Sequence, residues 1–173
     1  GIMCSNILVG ENHRFIRLSG FSTVRELLRQ DEYIQESKLD QLEDRTRWMA
    51  PETLQTRSFT TKSDVWSFAV VIWELFSFAR QPFGAMKPGE VVSEVCERRL
   101  LSRPDQCPIG LFAVMMDCWR VEPSNRPSFA FLRGELELEA MAEANGLRGE
   151  VAAARQWVAC RVAMSKADRQ QAA

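Results

Sequence analysis

The fold is decided by the stretch Trp48-Met49-Ala50-Pro51-Glu52, which is followed by Ser63-Asp64-Val65-Trp66-Ser67-Phe68. The second block enters the longest apolar run of the chain, Val65 to Ala79, which contains Glu74 and two serines. This run is too short to span a bilayer, since a transmembrane helix needs about 20 apolar residues. Because it is apolar on all sides, it predicts a helix buried at the centre of a domain.

The segments before this central helix predict one hairpin and one long loop. Ile7-Leu8-Val9 and Phe15-Ile16-Arg17-Leu18 flank the turn residues 10–13, a pattern typical of a β-hairpin. Residues 20–47 are rich in both charges and predict a surface loop, with or without short helical turns. Tyr33, the only tyrosine of the chain, lies in this loop after two acidic residues.

The segments after the central helix predict further helices. Breaks are expected at proline-containing positions such as Gln81-Pro82 and Lys87-Pro88-Gly89. One helix is predicted from about Ile109 to Arg120 and another from about Ser128 to Ala144. The expected fold class is therefore mainly α, with a helical bundle around a central buried helix and one short hairpin near the N-terminus.

Composition excludes several function classes. The 173 residues are 46% hydrophobic and carry a net charge of −1, so the chain is expected to be globular and not to bind nucleic acid. The five cysteines are scattered without the spacing of a metal site, which indicates reduced thiols in a cytoplasmic compartment. They are Cys4, Cys96, Cys107, Cys118 and Cys160. No signal peptide opens the chain.

The blocks quoted above, together with Cys118-Trp119 and Asn125-Arg126-Pro127, resemble the large lobe of protein kinases over residues 1–140. The positions of the tryptophans resemble those of the tyrosine-kinase branch of this family. Within that branch, the sequence of residues 67–83 resembles the discoidin-domain receptors. The resemblance implies that Glu52 pairs with Arg126 across the lobe. It also implies that Asp64 accepts hydrogen bonds from the backbone of the catalytic loop, although a carboxylate at a helix start is favoured in any protein.

The same resemblance shows departures at the catalytic loop. Asn6 matches the asparagine that binds a second magnesium ion in kinases, and it is equally compatible with a plain turn amide. Counting back five positions from Asn6 reaches Gly1, where the family has its catalytic aspartate. Ser5 occupies the place of an arginine of the tyrosine-kinase loop.

The metal-binding triplet also departs from the family. The resemblance aligns the Asp-Phe-Gly triplet with Gly20-Phe21-Ser22, so that Gly20 replaces the metal-binding aspartate. Ser22 replaces a glycine that permits unusual backbone conformations. Arg45 stands where tyrosine kinases have a proline of the substrate-docking shelf.

These departures predict a pseudokinase fragment that acts as a signalling scaffold or interaction module. The alternative is a fragment of an active, ATP-dependent receptor tyrosine kinase. ATP and Mg²⁺ are cofactors of the family, and none is expected for this fragment, since no sequence typical of the small lobe precedes Gly1. Expected partners are proteins that contact the lobe surfaces, including an active kinase. Tyr33 is interpreted either as a phosphorylation site that orders its loop by pairing with arginines or as a partly buried loop aromatic.

Residues 141–173 form an Ala-rich, basic tail that departs from the kinase pattern. From Leu147 onward it has five basic and two acidic residues, a net charge of +3. Apolar positions recur at helical spacing, so the tail is interpreted either as a basic amphipathic helix that docks a partner or, weakly, an anionic membrane, or as a solvated, partly frayed helix or sequence foreign to the domain. Any stronger membrane attachment is expected from other regions of the parent protein, which places this domain in the cytoplasm or on the cytoplasmic side of the plasma membrane.

Overall fold

The structure is a computed structural model, and it describes residues 2–10, 16–19 and 45–144. This part of the chain contains five α-helices, one two-stranded sheet and three short 3-10 helices. The strands are β1, Ile7–Val9, and β2, Ile16–Leu18. The α-helices are α1, Pro51–Thr56; α2, Thr61–Phe76; α3, Pro88–Cys96; α4, Ile109–Cys118; and α5, Phe129–Ala144. The 3-10 helices are Cys4–Asn6, Thr46–Trp48 and Pro123–Asn125.

Helix α2 is the predicted central helix, and most of its surface is buried. It begins three residues before Asp64 because Thr60 and Ser63 form a capping box. The Thr60 hydroxyl accepts from the Ser63 amide at 3.2 Å, and the Ser63 hydroxyl accepts from the Thr60 amide at 2.9 Å. These bonds satisfy amides that the first turn of a helix leaves without intrahelical partners.

The hydrophobic core lies where α2 packs against its neighbours. Helix α4 contacts both α2 and α5, and α3 packs against α1 and the 3-10 helix at Thr46–Trp48. Met115 of α4 and Val91 of α3 are fully buried, and burying a side chain of this size stabilises the fold by about 1.5–3 kcal/mol. The rings of Phe68 and Phe129 meet edge to face at 5.7 Å and join α2 to the start of α5.

The predicted hairpin is present in β1 and β2. Their antiparallel register pairs Ile7 with Leu18 and Val9 with Ile16. Val9 and Ile16 are 56% and 70% exposed, so the sheet presents an apolar surface to solvent. The turn predicted at residues 10–13 lies outside the described part of the chain from residue 11 onward, as do residues 14 and 15.

The mainly helical fold class is confirmed, with small shifts at helix ends. Helix α4 ends at Cys118 instead of Arg120, and α5 begins at Phe129 instead of Ser128. Of the loop predicted over residues 20–47, residues 20–44 lie outside the described part of the chain. Its last part begins the 3-10 helix Thr46–Trp48, in agreement with a short helical turn, but Arg47 is buried and not on the surface.

The tail lies outside the described residues from residue 145 onward. Among the helices that the structure describes, none combines the length and the hydropathy required to cross a bilayer.

Candidate functional site

Asn6 lies at the open end of the hairpin, opposite Ser19. It closes the 3-10 turn of residues 4–6, and its amide donates to the carbonyl of Met3 at 2.9 Å. Its own carbonyl accepts from the amide of Ser19 at 2.8 Å and from the Ser19 hydroxyl at 3.2 Å. Ser5 lies in the same turn and is exposed. The residue that follows Ser19 in the sequence is Gly20.

Four of the predicted positions lie outside the described residues. These positions are Gly1, Gly20, Ser22 and Tyr33. Gly1 and Gly20 have no side chain that could bind a metal, and the hydroxyl of Ser22 is a weaker metal ligand than a carboxylate.

The residues around Asn6 do not fit a magnesium site of the kinase type. Mg²⁺ is bound in such sites through one or two carboxylates and the phosphates of the nucleotide. Ser19 directs its hydroxyl to the carbonyl of Asn6, and Gly20 supplies no ligand atom from a side chain. Within residues 2–10, 16–19 and 45–144, no group of three or more His, Cys, Asp or Glu side chains is placed to hold a metal.

Asp64 lies in the first turn of α2, beside the turn that contains Asn6. It lines a small cavity together with Met3, Arg45 and Trp48. Burial raises the pKa of the Asp64 carboxyl above its usual range. Asp64 therefore lies in a partly desolvated environment near the segment that contains Asn6, and its hydrogen bonds to the backbone of a catalytic loop stay a prediction of the resemblance.

A second acidic residue at this site, Glu74, was not identified from the sequence. Glu74 of α2 is buried, and its Oε2 accepts from the indole Nε1 of Trp48 at 2.7 Å and from the amide of Cys4 at 3.4 Å. Burial and the negative charge of Glu74 raise the pKa of the Cys4 thiol to about 12. The sequence does contain one sign of this role, because Glu74 is the only carboxylate within the apolar run from Val65 to Ala79. A carboxylate that is buried with such a helix requires hydrogen-bond partners.

Glu52 and Arg126 form a bidentate pair on the far side of α2. Arg126 Nη1 lies 2.6 Å from Glu52 Oε1, and Nη2 lies 2.7 Å from Oε2. The Arg126 side chain is fully buried and also donates to the carbonyls of Lys62, Arg120 and Val121. Its guanidinium stacks over the ring of Trp66 at 5.1 Å. The pair therefore joins α1, α2 and the segment before α5.

Arg47 is another buried cation that the sequence did not reveal as structural. Its guanidinium donates to the carbonyl of Pro82 at 2.8 Å and to that of Met86 at 2.6 Å. These bonds fix the 3-10 helix before α1 to the loop between α2 and α3. Arg45, two residues earlier, lines the cavity beside Asp64 instead.

The comparisons with known proteins agree with this geometry. A family model described as protein tyrosine and serine/threonine kinase matches residues 1–136. The chain is 39% identical over 126 residues to tyrosine-protein kinase HTK16 of Hydra vulgaris, covering 72% of this chain and 16% of that protein. It is 33% identical over 132 residues to tyrosine-protein kinase FRK of Homo sapiens, covering 76% of this chain and 26% of that protein. It is 36% identical over 133 residues to the tyrosine-protein kinase transmembrane receptor Ror of Drosophila melanogaster, covering 76% of this chain and 19% of that protein.

The helices surround a buried central helix, a short hairpin follows Asn6, and Glu52 pairs with Arg126. This combination is that of the large lobe of a protein kinase. The chain belongs to the protein tyrosine and serine/threonine kinase family, and its relatives include tyrosine kinases. It spans about a quarter or less of the length of these relatives.

Proposed function

We propose that this chain is part of a pseudokinase, a tyrosine-kinase-like domain that works as a signalling scaffold or interaction module. The observation that carries the proposal is the register of the hairpin. Ser19 bonds to Asn6, which supports the alignment by sequence of the next residue, Gly20, with the metal-binding aspartate of the family. Loss of one preorganised electrostatic group of this kind lowers the rate of an enzyme by about 10²–10³.

Other substitutions support the same conclusion. Gly1 replaces the residue that accepts the proton of the substrate hydroxyl, and loss of a general base lowers rates by about 10²–10⁴. Ser22 has a Cβ where the family has glycine, which restricts the backbone of the loop. Arg45 replaces the proline of the substrate-docking shelf.

The charged residues that hold the lobe together have partners in the structure, in contrast to the positions that depart from the phosphate-transfer motifs. Glu52, Arg126 and Glu74 are buried or half-buried and hydrogen-bonded. Partners of this domain are therefore proteins that recognise the lobe surface, including an active kinase. Phosphorylation of Tyr33 supplies a switch in the loop before Arg45. The domain works in the cytoplasm, on the inner side of the plasma membrane if its parent is a receptor.

The second candidate is a fragment of an active, ATP-dependent protein tyrosine kinase. It is favoured by the retained Asn6 and by relatives that are themselves named tyrosine-protein kinases. In that case ATP and Mg²⁺ are the cofactors of the complete domain, and a carboxylate from elsewhere in the protein replaces the missing ligand.

The two candidates are distinguished with the full-length protein that contains this chain. We expect Mg-ATP to leave its melting temperature unchanged, and we expect no phosphate transfer to a tyrosine peptide. Asn6→Ala is the test variant, and Asn125→Ala, in an exposed turn remote from the hairpin, is its matched control. Phosphate transfer that is lost in Asn6→Ala and kept in Asn125→Ala would establish the active kinase and refute the pseudokinase.

A further inference from the structure

A cavity of about 430 Å³ opens at the surface beside the C-terminal end of α2. Its walls come from α2, from the loop between α2 and α3 and from the loop between α3 and α4. The described residues that line it include Trp73, Phe83, Leu101 and Ser102. None of them lines the small cavity beside Asp64. The volume lies within the range of about 300–1,000 Å³ that is typical of ligand pockets.

The buried part of the lining is apolar. Trp73 and Leu101 are 6% and 9% exposed, and Phe83 is half-buried against the core. The indole Nε1 of Trp73 donates to the backbone carbonyl of Ser102 at 2.8 Å, so the ring is fixed between α2 and the loop before α4. Because its N–H is satisfied, the ring offers the cavity an apolar surface suited to an aromatic or aliphatic group.

The loop between α2 and α3 forms a preformed wall of the cavity. The φ angles of Phe83 and Gly84 are 60° and 59°, in the left-handed region that glycine tolerates and a bulky residue rarely adopts. The amide of Gly84 donates to the carbonyl of Gln81 at 3.0 Å, and Arg47 holds the same loop through two further carbonyls. These contacts maintain an unfavourable backbone conformation, so the wall is present before a ligand binds.

The exposed side of the cavity carries a positive charge. Arg80 is the only charged residue among the described residues that line the cavity, and it is exposed. Its guanidinium lies over the ring of Trp73, 5.7 Å from the centroid. This contact holds the cation at the cavity but supplies no oxygen acceptor for its N–H donors. In the part of the chain that the structure describes, no carboxylate forms an ion pair with Arg80.

Shape and charge together indicate the kind of ligand. The cavity is wide open to solvent, whereas a small-molecule site usually buries about 70–90% of the surface of its ligand. A protein segment inserts one side chain and leaves its backbone outside, within reach of the exposed side chains of Gln81 and Ser102. A carboxylate next to the inserted side chain is the natural partner of Arg80, since a guanidinium binds a carboxylate through two parallel hydrogen bonds.

We propose that this cavity binds an acidic segment of a partner protein. An aromatic or large aliphatic side chain of the segment packs against Trp73, and an adjacent carboxylate pairs with Arg80. This binding is independent of whether the complete domain transfers phosphate, because the cavity shares no residue with the phosphate-transfer motifs.

Fluorescence anisotropy with the full chain tests the charge of the ligand. The probes are two heptapeptide pools that carry a neutral coumarin dye. In one pool an aromatic or leucine residue precedes two glutamates, and in the other pool glutamines replace the glutamates. We expect the acidic pool to bind about tenfold or more tightly than the glutamine pool, because its hydrogen bonds to Arg80 are charge-assisted.

Arg80→Gln should remove the preference for the acidic pool. The matched control is Arg133→Gln, since Arg133 lies on α5, does not line the cavity and has a side chain that is 80% exposed. This control should leave the preference unchanged. Circular dichroism checks that both variants keep the helical fold.

Ser102→Phe tests the shape of the cavity instead of its charge. The bond from Trp73 goes to the backbone carbonyl of Ser102, so the substitution keeps that bond and adds a ring at the cavity. We expect this variant to bind both pools about tenfold or more weakly, because the inserted side chain loses its apolar contact.

Other results would overturn the proposal. They are an acidic pool that does not bind at about 1 mM, equal binding of the two pools, and a preference that Arg80→Gln leaves unchanged. The competitor 3-phenylpropionate is a small aryl carboxylate. If it displaces the acidic pool at the concentrations at which the peptides themselves bind, the cavity is assigned to a small ligand and not to a protein segment.

Discussion

At the scale of single residues, the lobe depends on a few buried charges whose partners are distant in sequence. Arg126 lies 74 residues from Glu52, and its side chain has no exposed surface. A buried pair is not a large net source of stability, because both charges lose their hydration. Removing one partner is costly, however, since the other charge stays buried and uncompensated.

We therefore predict that Glu52→Gln lowers the free energy of unfolding by about 3–5 kcal/mol, measured by urea denaturation of the chain. The matched control is Glu94→Gln, because Glu94 pairs with Arg99, whose side chain is 59% exposed. Surface pairs of this kind contribute about 0–1 kcal/mol. Equal losses in the two variants would contradict the role assigned to Glu52.

Two buried cysteines, Cys107 and Cys118, and the half-buried Cys4 give a second prediction at this scale. Burial raises the pKa to about 12 for Cys4 and Cys118, and to about 11 for Cys107. At pH 8 a thiol of pKa 12 is ionised in about one molecule in 10⁴, and the thiolate is the reactive form.

We expect peptide mapping after iodoacetamide treatment at pH 8 to find Cys4, Cys107 and Cys118 unmodified in the folded chain. Cys118 should react last, since it is fully buried in the core. All three should react once urea unfolds the chain, which is the control for intrinsic reactivity. Rapid labelling of Cys118 before unfolding would show that α4 opens locally.

At the scale of elements, the beginning of α2 is set by side chains and not by hydrophobicity. Thr60 and Ser63 close a capping box before Val65, which is the first buried apolar residue of the helix. The apolar run predicted the helix and its burial, and Trp66 and Trp73 are indeed in the core. The helix ends were less predictable, because Thr and Ser are compatible with loops as well as caps.

Thr60→Ala is predicted to lower the free energy of unfolding by about 1 kcal/mol, because the amide of Ser63 loses its acceptor. Thr60→Ser should retain most of the stability. The matched control is Thr56→Ala at the exposed end of α1, where the hydroxyl only bonds back to the carbonyl of Glu52. Urea denaturation measures all three variants, and a Thr60→Ala loss no larger than that of Thr56→Ala would contradict the capping role.

Some charged residues of the candidate site could be predicted from the sequence and others could not, depending on what their side chains bind. Glu52 and Arg126 were paired from the family resemblance, since no local pattern links residues so far apart. Glu74 and Arg47 were missed because their partners are an indole nitrogen, a backbone amide and two backbone carbonyls. Backbone groups are present at every residue, so a sequence gives no sign of which of them a buried charge contacts.

At the scale of the whole molecule, the hairpin leaves an apolar surface in solvent. Val9 and Ile16 lie side by side on one face of the sheet, and both are more than half exposed. Exposed strands with apolar side chains favour association between chains. We predict that the chain self-associates through this surface at high concentration.

The double variant Val9→Thr with Ile16→Thr should remain monomeric at higher concentrations, as measured by light scattering, because threonine keeps the β-branched shape and adds a hydroxyl. The control replaces Ile109, which is 71% exposed at the start of α4, with threonine. Equal association of the double variant and the unchanged chain would show that another surface causes it.

The position of Arg126 has a consequence for the gene as well as for the protein. A transcript that is terminated or spliced before codon 126 encodes α1, α2, α3 and α4 but lacks the guanidinium that Glu52 requires. Such a product retains most of the apolar residues of the core and still carries an uncompensated carboxylate. Cells expressing that shortened transcript should therefore accumulate little of its polypeptide, because quality-control proteases degrade chains that do not stay folded.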